Sequence, residues 1–229
     1  MSHEILEIPL LRQPASTSKR KVEICMVNGR FFASKSDSAY LETEAHVCID
    51  RSSAPSSSTT DPAPNKKSKN WHENSNFLPI LDELVAVLVE FGFADVFQNS
   101  MDSGSMDPGG SGSTSSESWK KRILKVHEIP FEDSKTFRTK RLVVRDFWKR
   151  GYFIADGCRF GGDYLVYTAS PNQCHAEFVI LCSPESDLQR ISAMRCCNQV
   201  KKTLIVATSS AHSPQPHYTK CEWFRPEMF

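Results

Sequence analysis

The sequence lacks the cysteine patterns of disulfide scaffolds and zinc sites. Its eight cysteines include no CxxC pair, and no histidine stands at zinc-ligand spacing from them. Most lie in apolar runs such as Val22–Val27 and Val179–Cys182, where a free thiol packs as a small hydrophobe. The cysteines therefore predict a reducing compartment.

Long apolar runs and an excess of charge of one sign are also missing. No stretch approaches the roughly 18 apolar residues of a membrane span. The opening segment MSHEILEIPLLRQP carries acidic residues and an interrupted apolar run, unlike a signal peptide or an anchor. We therefore expect a soluble, intracellular protein. The formal net charge of +1 excludes a histone-like binder held by bulk charge, although local basic patches still allow nucleic acid.

Two low-complexity stretches divide the chain. Residues 51–70 and 101–118 are rich in Ser, Pro, Gly and Thr and have almost nothing apolar to bury. They predict a flexible N-terminus (1–17), an N-terminal scaffold module (18–100) with a disordered insertion at 51–70, a linker (101–118) and a C-terminal module (119–229). Lys66, Lys67 and Lys69 are either a nuclear signal or part of a solvated loop.

The N-terminal module contains no residues that suggest catalysis, and its sequence pattern predicts a hairpin followed by helices. Asn-Gly supplies the positive φ angles of a type I′ turn, and Gly ends helices at the C′ position. The predicted elements are a hairpin of Val22–Val27 and Arg30–Ala33 turning at Asn28-Gly29, a short helix capped by Ser36 or Asp37 and ending near Ala45, a buried helix from about Pro79 to Phe91 ended by Gly92, and a strand over Phe93–Phe97.

The C-terminal module alternates between helical and strand-like patterns. The predicted elements are a basic amphipathic helix within FRTKRLVVRDFWKR ended by Gly151, strands over Tyr152–Ala155, Tyr164–Tyr167 and Ala176–Leu181, a helix over Ser186–Cys196, and strands over Lys202–Ala207 and Tyr218–Phe224. The chain is therefore predicted to be α+β, with a mixed α/β N-terminal module and a mixed sheet flanked by helices in the C-terminal module.

Three polar residues stand at predicted strand ends in the C-terminal module. Tyr167 ends one strand, His175 precedes the next, and Lys202 begins another. At one sheet edge they suit RNA cleavage, in which one group takes the 2′-hydroxyl proton, a second protonates the 5′-oxygen, and a cation stabilises the phosphate. Asp and Glu clusters that would hold Mg²⁺ are missing from this stretch, so we predict a metal-independent reaction without a cofactor.

On spacing alone, each of these residues can also be explained by a structural role. Tyr167 can be a strand tyrosine with its ring in the core, His175 a structural histidine, and Lys202 a solvated charge at a strand end. Residue spacing does not choose between these explanations and catalysis.

The segment GYFIADGCRFGGDYLVYTASPNQCHAEFVI resembles the catalytic segment of the tRNA-splicing endonuclease family. VKKTLIVA and YTKCEWF resemble the family's lysine segment and closing strand, so the likeness covers about ninety residues. It departs at Cys174, where the family more often has an aromatic or apolar residue, and in the Ser-rich insertions. The matching positions are Gly157, Arg159, Phe160, Gly161, Asp163, Tyr167, Pro171, His175 and Ala176.

Within the family, the sequence in and around this segment is most similar to that of the eukaryotic catalytic subunit that cuts the 3′ splice site. VNGRFFASKSDSAYL and LPILDELVAVLVEFGFADV in the N-terminal module resemble the same subunit. The resemblance implies a restriction-endonuclease-like C-terminal fold, precursor tRNA as substrate, and a nuclear complex with one other catalytic and two structural subunits. The 5′-cutting paralogue and a non-catalytic structural or RNA-binding subunit are the alternatives.

The resemblance also implies residue roles. Tyr167 would be the general base, His175 the general acid and Lys202 the stabilising cation, leaving a 2′,3′-cyclic phosphate and a 5′-hydroxyl. Lys201 is the alternative lysine, and Lys202 fits the family segment better. Arg195 and Trp223 match a clamp that grips a flipped intron base, with a solvated arginine and a hydrophobic plug as the alternatives.

Overall fold

The computed structural model describes residues 3–11, 20–48, 76–101, 119–210, 213 and 215–223. The insertion at 51–70, with Lys66, Lys67 and Lys69, and all of the predicted linker except Met101 lie outside the described residues. No helix in the described ranges is long and apolar enough to cross a membrane.

The described residues form eleven strands and four α-helices. In order they are β1 (His3–Ile5), β2 (Val22–Val27), β3 (Arg30–Ser34), α1 (Ser38–Thr43), β4 (Phe77–Ile80), α2 (Asp82–Glu90), β5 (Ala94–Met101), β6 (Trp119–Ile123), α3 (Lys135–Lys149), β7 (Phe153–Asp156), β8 (Tyr164–Tyr167), β9 (Phe178–Cys182), α4 (Asp187–Gln199), β10 (Thr203–Thr208) and β11 (His217–Cys221).

These strands form two mixed sheets. The first has the order β4-β3-β2-β5-β6, and the second has the order β1-β11-β10-β9-β8-β7. β9 and β10 run parallel and are joined by α4, while the other pairs of the second sheet are antiparallel. The predicted α+β class is confirmed.

A continuous apolar core joins the two sheets through α2 and α3. Trp148 of α3 is 2% exposed, stacks near Phe91 and Phe93, and its indole N–H donates to the Ala45 carbonyl at 2.6 Å. Val47 forms a parallel bridge with Ile154 of β7. A second, smaller apolar cluster lies between α4 and the opposite face of the second sheet.

Local turn chemistry explains the N-terminal hairpin and its neighbours. Asn28 and Gly29 have φ values of 50° and 74°, as a type I′ turn requires, so the predicted hairpin is confirmed. The short helix is preceded by a 3₁₀ turn at Lys35–Asp37. That turn is capped by Ser34, whose hydroxyl accepts from the Ser36 N–H.

The predicted helix from Pro79 begins later than expected. Pro79 lies in β4, opposite Phe32, and α2 starts at Asp82. Because β4 is the edge strand of the first sheet, its proline leaves no interior ladder bond unmade. Gly92 has a φ of 74° and ends α2 as predicted.

Two strands pair with sheets to which the sequence did not assign them. Trp119–Ile123, placed by sequence in the C-terminal module, pairs as β6 with β5 of the first sheet. His3–Ile5, predicted to be flexible, pairs as β1 with β11 of the second sheet. Each strand supplies hydrogen-bond partners for backbone groups at the edge of its sheet. No local sequence pattern predicts such a pairing. The division into a scaffold module and a catalytic module stays a prediction.

Candidate active site

Strand register brings the predicted catalytic residues to one edge of the second sheet. Val166 lies opposite Phe178, and Phe178 lies opposite Thr203. Tyr167 follows Val166, and Lys202 precedes Thr203, so both lie at the edge where β8 ends and β9 and β10 begin. His175 occupies the loop that enters β9 at this edge.

Tyr167 and Lys202 also share a face of the sheet. Leu165 and Leu204 point into the apolar cluster beneath α4, and side chains two residues apart on a strand face the same way. Tyr167 is half-buried and packs against that cluster. The phenol and the ammonium therefore project from the same side of the edge.

Lys202 is held by two contacts at this edge. Its Nζ donates to the Ala176 carbonyl at 2.9 Å and lies 5.5 Å from the centroid of the Phe160 ring. The neighbouring Lys201 is exposed and has a φ of 53°, in the left-handed region just after α4. Of the two lysines, Lys202 is thus the one bonded to the residue beside His175.

His175 is exposed on the loop between β8 and β9. Within that loop the N–H groups of Gln173 and Cys174 both donate to the Ser170 carbonyl, and the Cys174 thiol donates to the Ala169 carbonyl at 3.4 Å. The Glu177 N–H donates to the Val166 carbonyl and closes the loop. The imidazole is therefore open to a substrate while its backbone is folded into a compact turn.

Arg195 and Trp223 are also brought together. The Arg195 guanidinium carbon of α4 lies 5.8 Å from the centroid of the Trp223 ring, which is 40% exposed. Trp223 follows β11, whose last residue Cys221 lies opposite Leu204 near the start of β10. The pair therefore stands at the same sheet edge as Lys202, and two strands, β10 and β9, lie between β11 and β8.

Comparison with known proteins identifies the same part of the chain. The family model described as "tRNA intron endonuclease, catalytic C-terminal domain" matches residues 137–214, which include Tyr167, His175, Lys202 and Arg195. Residues 137–214 are therefore similar to the catalytic domain of the tRNA intron endonuclease family.

Individual relatives agree with the family model. The chain is 36% identical over 89 residues to the tRNA-splicing endonuclease subunit Sen34 of Homo sapiens and 37% identical over 91 residues to that of Mus musculus. Each match covers 35% of this chain and 27% of the relative, so the chain spans about a quarter of their length. The tRNA-splicing endonuclease of Methanopyrus kandleri is 29% identical over 94 residues, which cover 39% of this chain and 52% of that protein.

The glycines of the family segment allow close packing around the site. A Cβ on Gly157 would lie 2.7 Å from backbone atoms of Tyr164, and one on Gly162 would lie 2.4 Å from Val179 Cγ1. Gly161, with a φ of 74°, ends the 3₁₀ turn Cys158–Phe160. These glycines bring the Phe160 turn against α4 and thereby set the ring beside Lys202.

Asp163 of the family segment ties three elements together. Its carboxylate accepts from the Cys182 N–H at 2.7 Å and from Lys140 Nζ of α3 at 2.7 Å. Burial alone would lower the pKa of Lys140, but the hydrogen bond and the charge of Asp163 outweigh it and raise that pKa above its ordinary value. Asp163 thus supports the fold beneath the site.

Glu83 of α2 and Tyr164 of β8 complete a buried polar cluster beside this ion pair. Burial raises the pKa of the Glu83 carboxyl, with the nearby Lys140 charge opposing the shift. Burial also raises the pKa of Tyr164 well above its ordinary value, and Glu83 adds to this effect. The cluster joins the helices of the core to the sheet that carries the site.

The basic side chains of α3 are mostly neutralised within the chain. Arg141 and Arg145 both bond to the Glu90 carboxylate, at 3.2 and 2.7 Å, and Arg138 bonds to Asp133. The basic appearance of this helix in the sequence thus reflects ion pairs with α2 and a loop.

Sequence reasoning gave no role to Phe160, to the Ala176 carbonyl or to Glu42. Phe160 and Ala176 belong to the family pattern, and the structure shows that both contact Lys202. Glu42 contacts the His175 loop from α1, more than 120 residues away in sequence. No local signal links such distant positions.

Proposed function

We propose that this chain is the catalytic subunit of a tRNA-splicing endonuclease that cleaves precursor tRNA at the 3′ exon–intron junction. The products are a 2′,3′-cyclic phosphate and a 5′-hydroxyl. The observation that supports this most strongly is the placement of Tyr167, His175 and Lys202 at one sheet edge, with the Lys202 ammonium bonded to the carbonyl next to His175.

The three side chains divide the chemistry of one displacement at phosphorus. Tyr167 takes the proton of the ribose 2′-hydroxyl, whose oxygen attacks the adjacent phosphorus. His175 donates a proton to the 5′-oxygen as the P–O bond breaks. Lys202 stabilises the charge that develops on the non-bridging oxygens. Every proton is carried by a protein side chain, so the reaction needs no cofactor and no metal ion.

Lys202 has a second part in this scheme. A phenol has an ordinary pKa of about 10, too high for an efficient base near neutral pH. A cation on the same face of the sheet favours the phenolate. Lys202 meets that condition because it projects from the same side of the edge as Tyr167.

Arg195 and Trp223 are proposed to hold a flipped intron base between a guanidinium and an indole. Stacking of this kind reads no sequence, which suits an enzyme that cuts many tRNAs. In the family such a clamp reaches the partner's active site, so we assign it to the 5′ cut made by the other catalytic subunit.

The assembly proposed for this chain contains one other catalytic subunit and two structural subunits, and it acts in the nucleus. The human and mouse relatives are named as subunits, which supports a multi-subunit complex. We propose that C-terminal modules associate by strand addition and loop insertion.

Two other functions remain testable against this one. The chain could be the 5′-cutting paralogue, or it could be a non-catalytic structural or RNA-binding subunit. The similarity to Sen34 favours the 3′-cutting subunit, and the presence of Tyr167, His175 and Lys202 together disfavours a degenerate subunit.

Removal of His175 distinguishes these functions. His175→Ala in the full chain, assembled with its partner subunits, should abolish cleavage at the 3′ junction of an intron-containing precursor tRNA and leave the 5′ cut intact. General acid–base catalysis contributes about 10²- to 10⁴-fold, so the loss should be of that size. The measurement is a single-turnover assay in which the two cuts are resolved on a gel.

His217→Ala is the matched control for this experiment. His217 is exposed on β11 and lies opposite Thr208, at the other edge of the same sheet. Its removal should leave both cuts unchanged. Selective loss of the 5′ cut in His175→Ala would identify the paralogue, and unchanged cutting at both junctions would make His175 structural.

A further inference from the structure

A carboxylate of the N-terminal module is hydrogen-bonded to the loop that carries His175. Glu42 of α1 accepts hydrogen bonds on one oxygen from the Ser170 hydroxyl and from Asn172 Nδ2, the latter at 2.9 Å. Ser170 is also the residue whose carbonyl closes the turn ahead of His175. The carboxylate therefore holds the turn at Ser170, the residue whose carbonyl accepts the hydrogen bonds within the turn.

The support for Glu42 is rigid. Leu41 and Ala45 of the same segment are fully buried in the core that joins the two sheets. His46 accepts from the Ile154 N–H, and the Cys48 N–H donates to the Ile154 carbonyl at 3.0 Å. Glu42 thus projects from a frame that is fastened to β7, the neighbour of the strand that ends in Tyr167.

We propose that Glu42 is a positioning residue that holds the loop over residues 168–176 so that His175 meets the 5′-oxygen of the scissile phosphate. The inference rests on the proposed role of His175 as the general acid. An exposed imidazole on the ten-residue connection between β8 and β9 gains its catalytic geometry only if the loop backbone is fixed from outside the loop. The N-terminal module is then part of the catalytic apparatus as well as a scaffold.

The test uses the full chain in its assembled complex, with Glu42→Ala, Glu42→Gln and Asn172→Ala. Misplacement of a reacting group by about 1 Å can cost 10²-fold, so Glu42→Ala should lower the single-turnover rate at the 3′ junction by roughly 10- to 100-fold at saturating enzyme. Binding of precursor tRNA should change by less than about threefold, because within the described part of the chain the Glu42 carboxylate bonds to the loop and not to a residue proposed to hold RNA. Glutamine keeps an accepting oxygen, so Glu42→Gln should retain most of the rate.

Hydrogen–deuterium exchange supplies a readout that does not depend on activity. Glu42→Ala should speed exchange in residues 168–176 and leave α2 unchanged, and adding Asn172→Ala should have little further effect on either readout. Glu44→Ala removes the same charge from an exposed position beyond α1 and should change neither rate nor exchange.

The outcomes separate the inference from the function on which it rests. Unchanged exchange in Glu42→Ala overturns the tether. Faster exchange with an unchanged cleavage rate, in a complex that His175→Ala inactivates, overturns the positioning role. Unchanged cutting at both junctions in His175→Ala would instead remove the proposed function of His175, and the positioning role with it.

Discussion

At the scale of single residues, the choice between Lys201 and Lys202 shows what structure adds to sequence. The two lysines are adjacent and chemically identical, and only the family segment separated them in the sequence. In the structure Lys202 contacts the Ala176 carbonyl and the Phe160 ring, whereas Lys201 lies in a left-handed turn after α4. Backbone conformation at one residue thus decides which ammonium stands at the edge.

This difference predicts unequal effects of removing the two lysines. Lys202→Ala should lower the single-turnover rate of the 3′ cut by about 10²- to 10³-fold, the usual effect of losing one group that stabilises transition-state charge. Lys201→Ala, the matched control, should change it by less than about threefold. The assay is cleavage of precursor tRNA at saturating enzyme. A larger loss in Lys201→Ala would reverse the assignment.

At the scale of elements, regular patterns and turn residues were predictable. The hairpin β2–β3 and the stop of α2 at Gly92 follow from Asn-Gly and a C′ glycine, and strand β8 follows from its run of apolar and aromatic residues. The start of α2 was predicted too early because Pro79 suits the first turn of a helix and equally an edge strand. That ambiguity is resolved by pairing with β3, a contact between segments separated by more than 40 residues.

The close approach of the β7–β8 turn to β9 predicts a cost for any side chain at Gly162. In Gly162→Ala the new Cβ meets Val179 Cγ1 and the Ile180 carbonyl, so the free energy of unfolding should fall by about 1–3 kcal/mol. Thermal unfolding should show a midpoint lower by roughly 2–4 °C for each kcal/mol.

The double variant Gly162→Ala/Val179→Ala controls for this clash. It removes the methyl group that the alanine meets, so its loss of stability should be smaller than the sum of the two single losses. Additive losses would show that the clash is absorbed elsewhere.

At the scale of the whole molecule, sequence composition suggested two modules and the structure has one continuous core. Low-complexity stretches suggested the boundaries of these modules. They did not reveal that β6 completes the first sheet or that β1 extends the second, because strand pairing across such breaks leaves no local pattern. From the sequence, the site could be predicted only as three residues at strand ends. The hydrogen bonds between Glu42 of α1 and the loop that carries His175 could not be predicted.

The buried polar cluster between α2, α3 and β8 makes stability depend on pH. Burial raises the pKa of Glu83 above its ordinary value of 4.5, so the folded state disfavours the charged carboxylate. This cost is absent below pH 4.5 and grows as the pH rises through the folded-state pKa. Glu83→Gln should therefore raise the midpoint of thermal unfolding at pH 7 by a few degrees, and the gain should shrink as the pH falls towards 4.5.

Thermal unfolding by circular dichroism at several pH values measures this effect. Glu44→Gln, at an exposed position, should give no comparable gain. A lower midpoint for Glu83→Gln at pH 7 would mean that the attraction between Glu83 and Lys140 outweighs the burial of the charge.

Trp148 lies where the helices of the core meet both sheets. Its indole is 2% exposed, it packs near two phenylalanines from the α2–β5 connection, and its N–H bonds to a backbone carbonyl at the end of the α1 segment. An indole in that setting emits at shorter wavelength than one in water. Because the chain has four tryptophans, a variant that keeps only Trp148 would report through its emission wavelength whether the segment bearing Glu42 is packed against the sheet bearing His175.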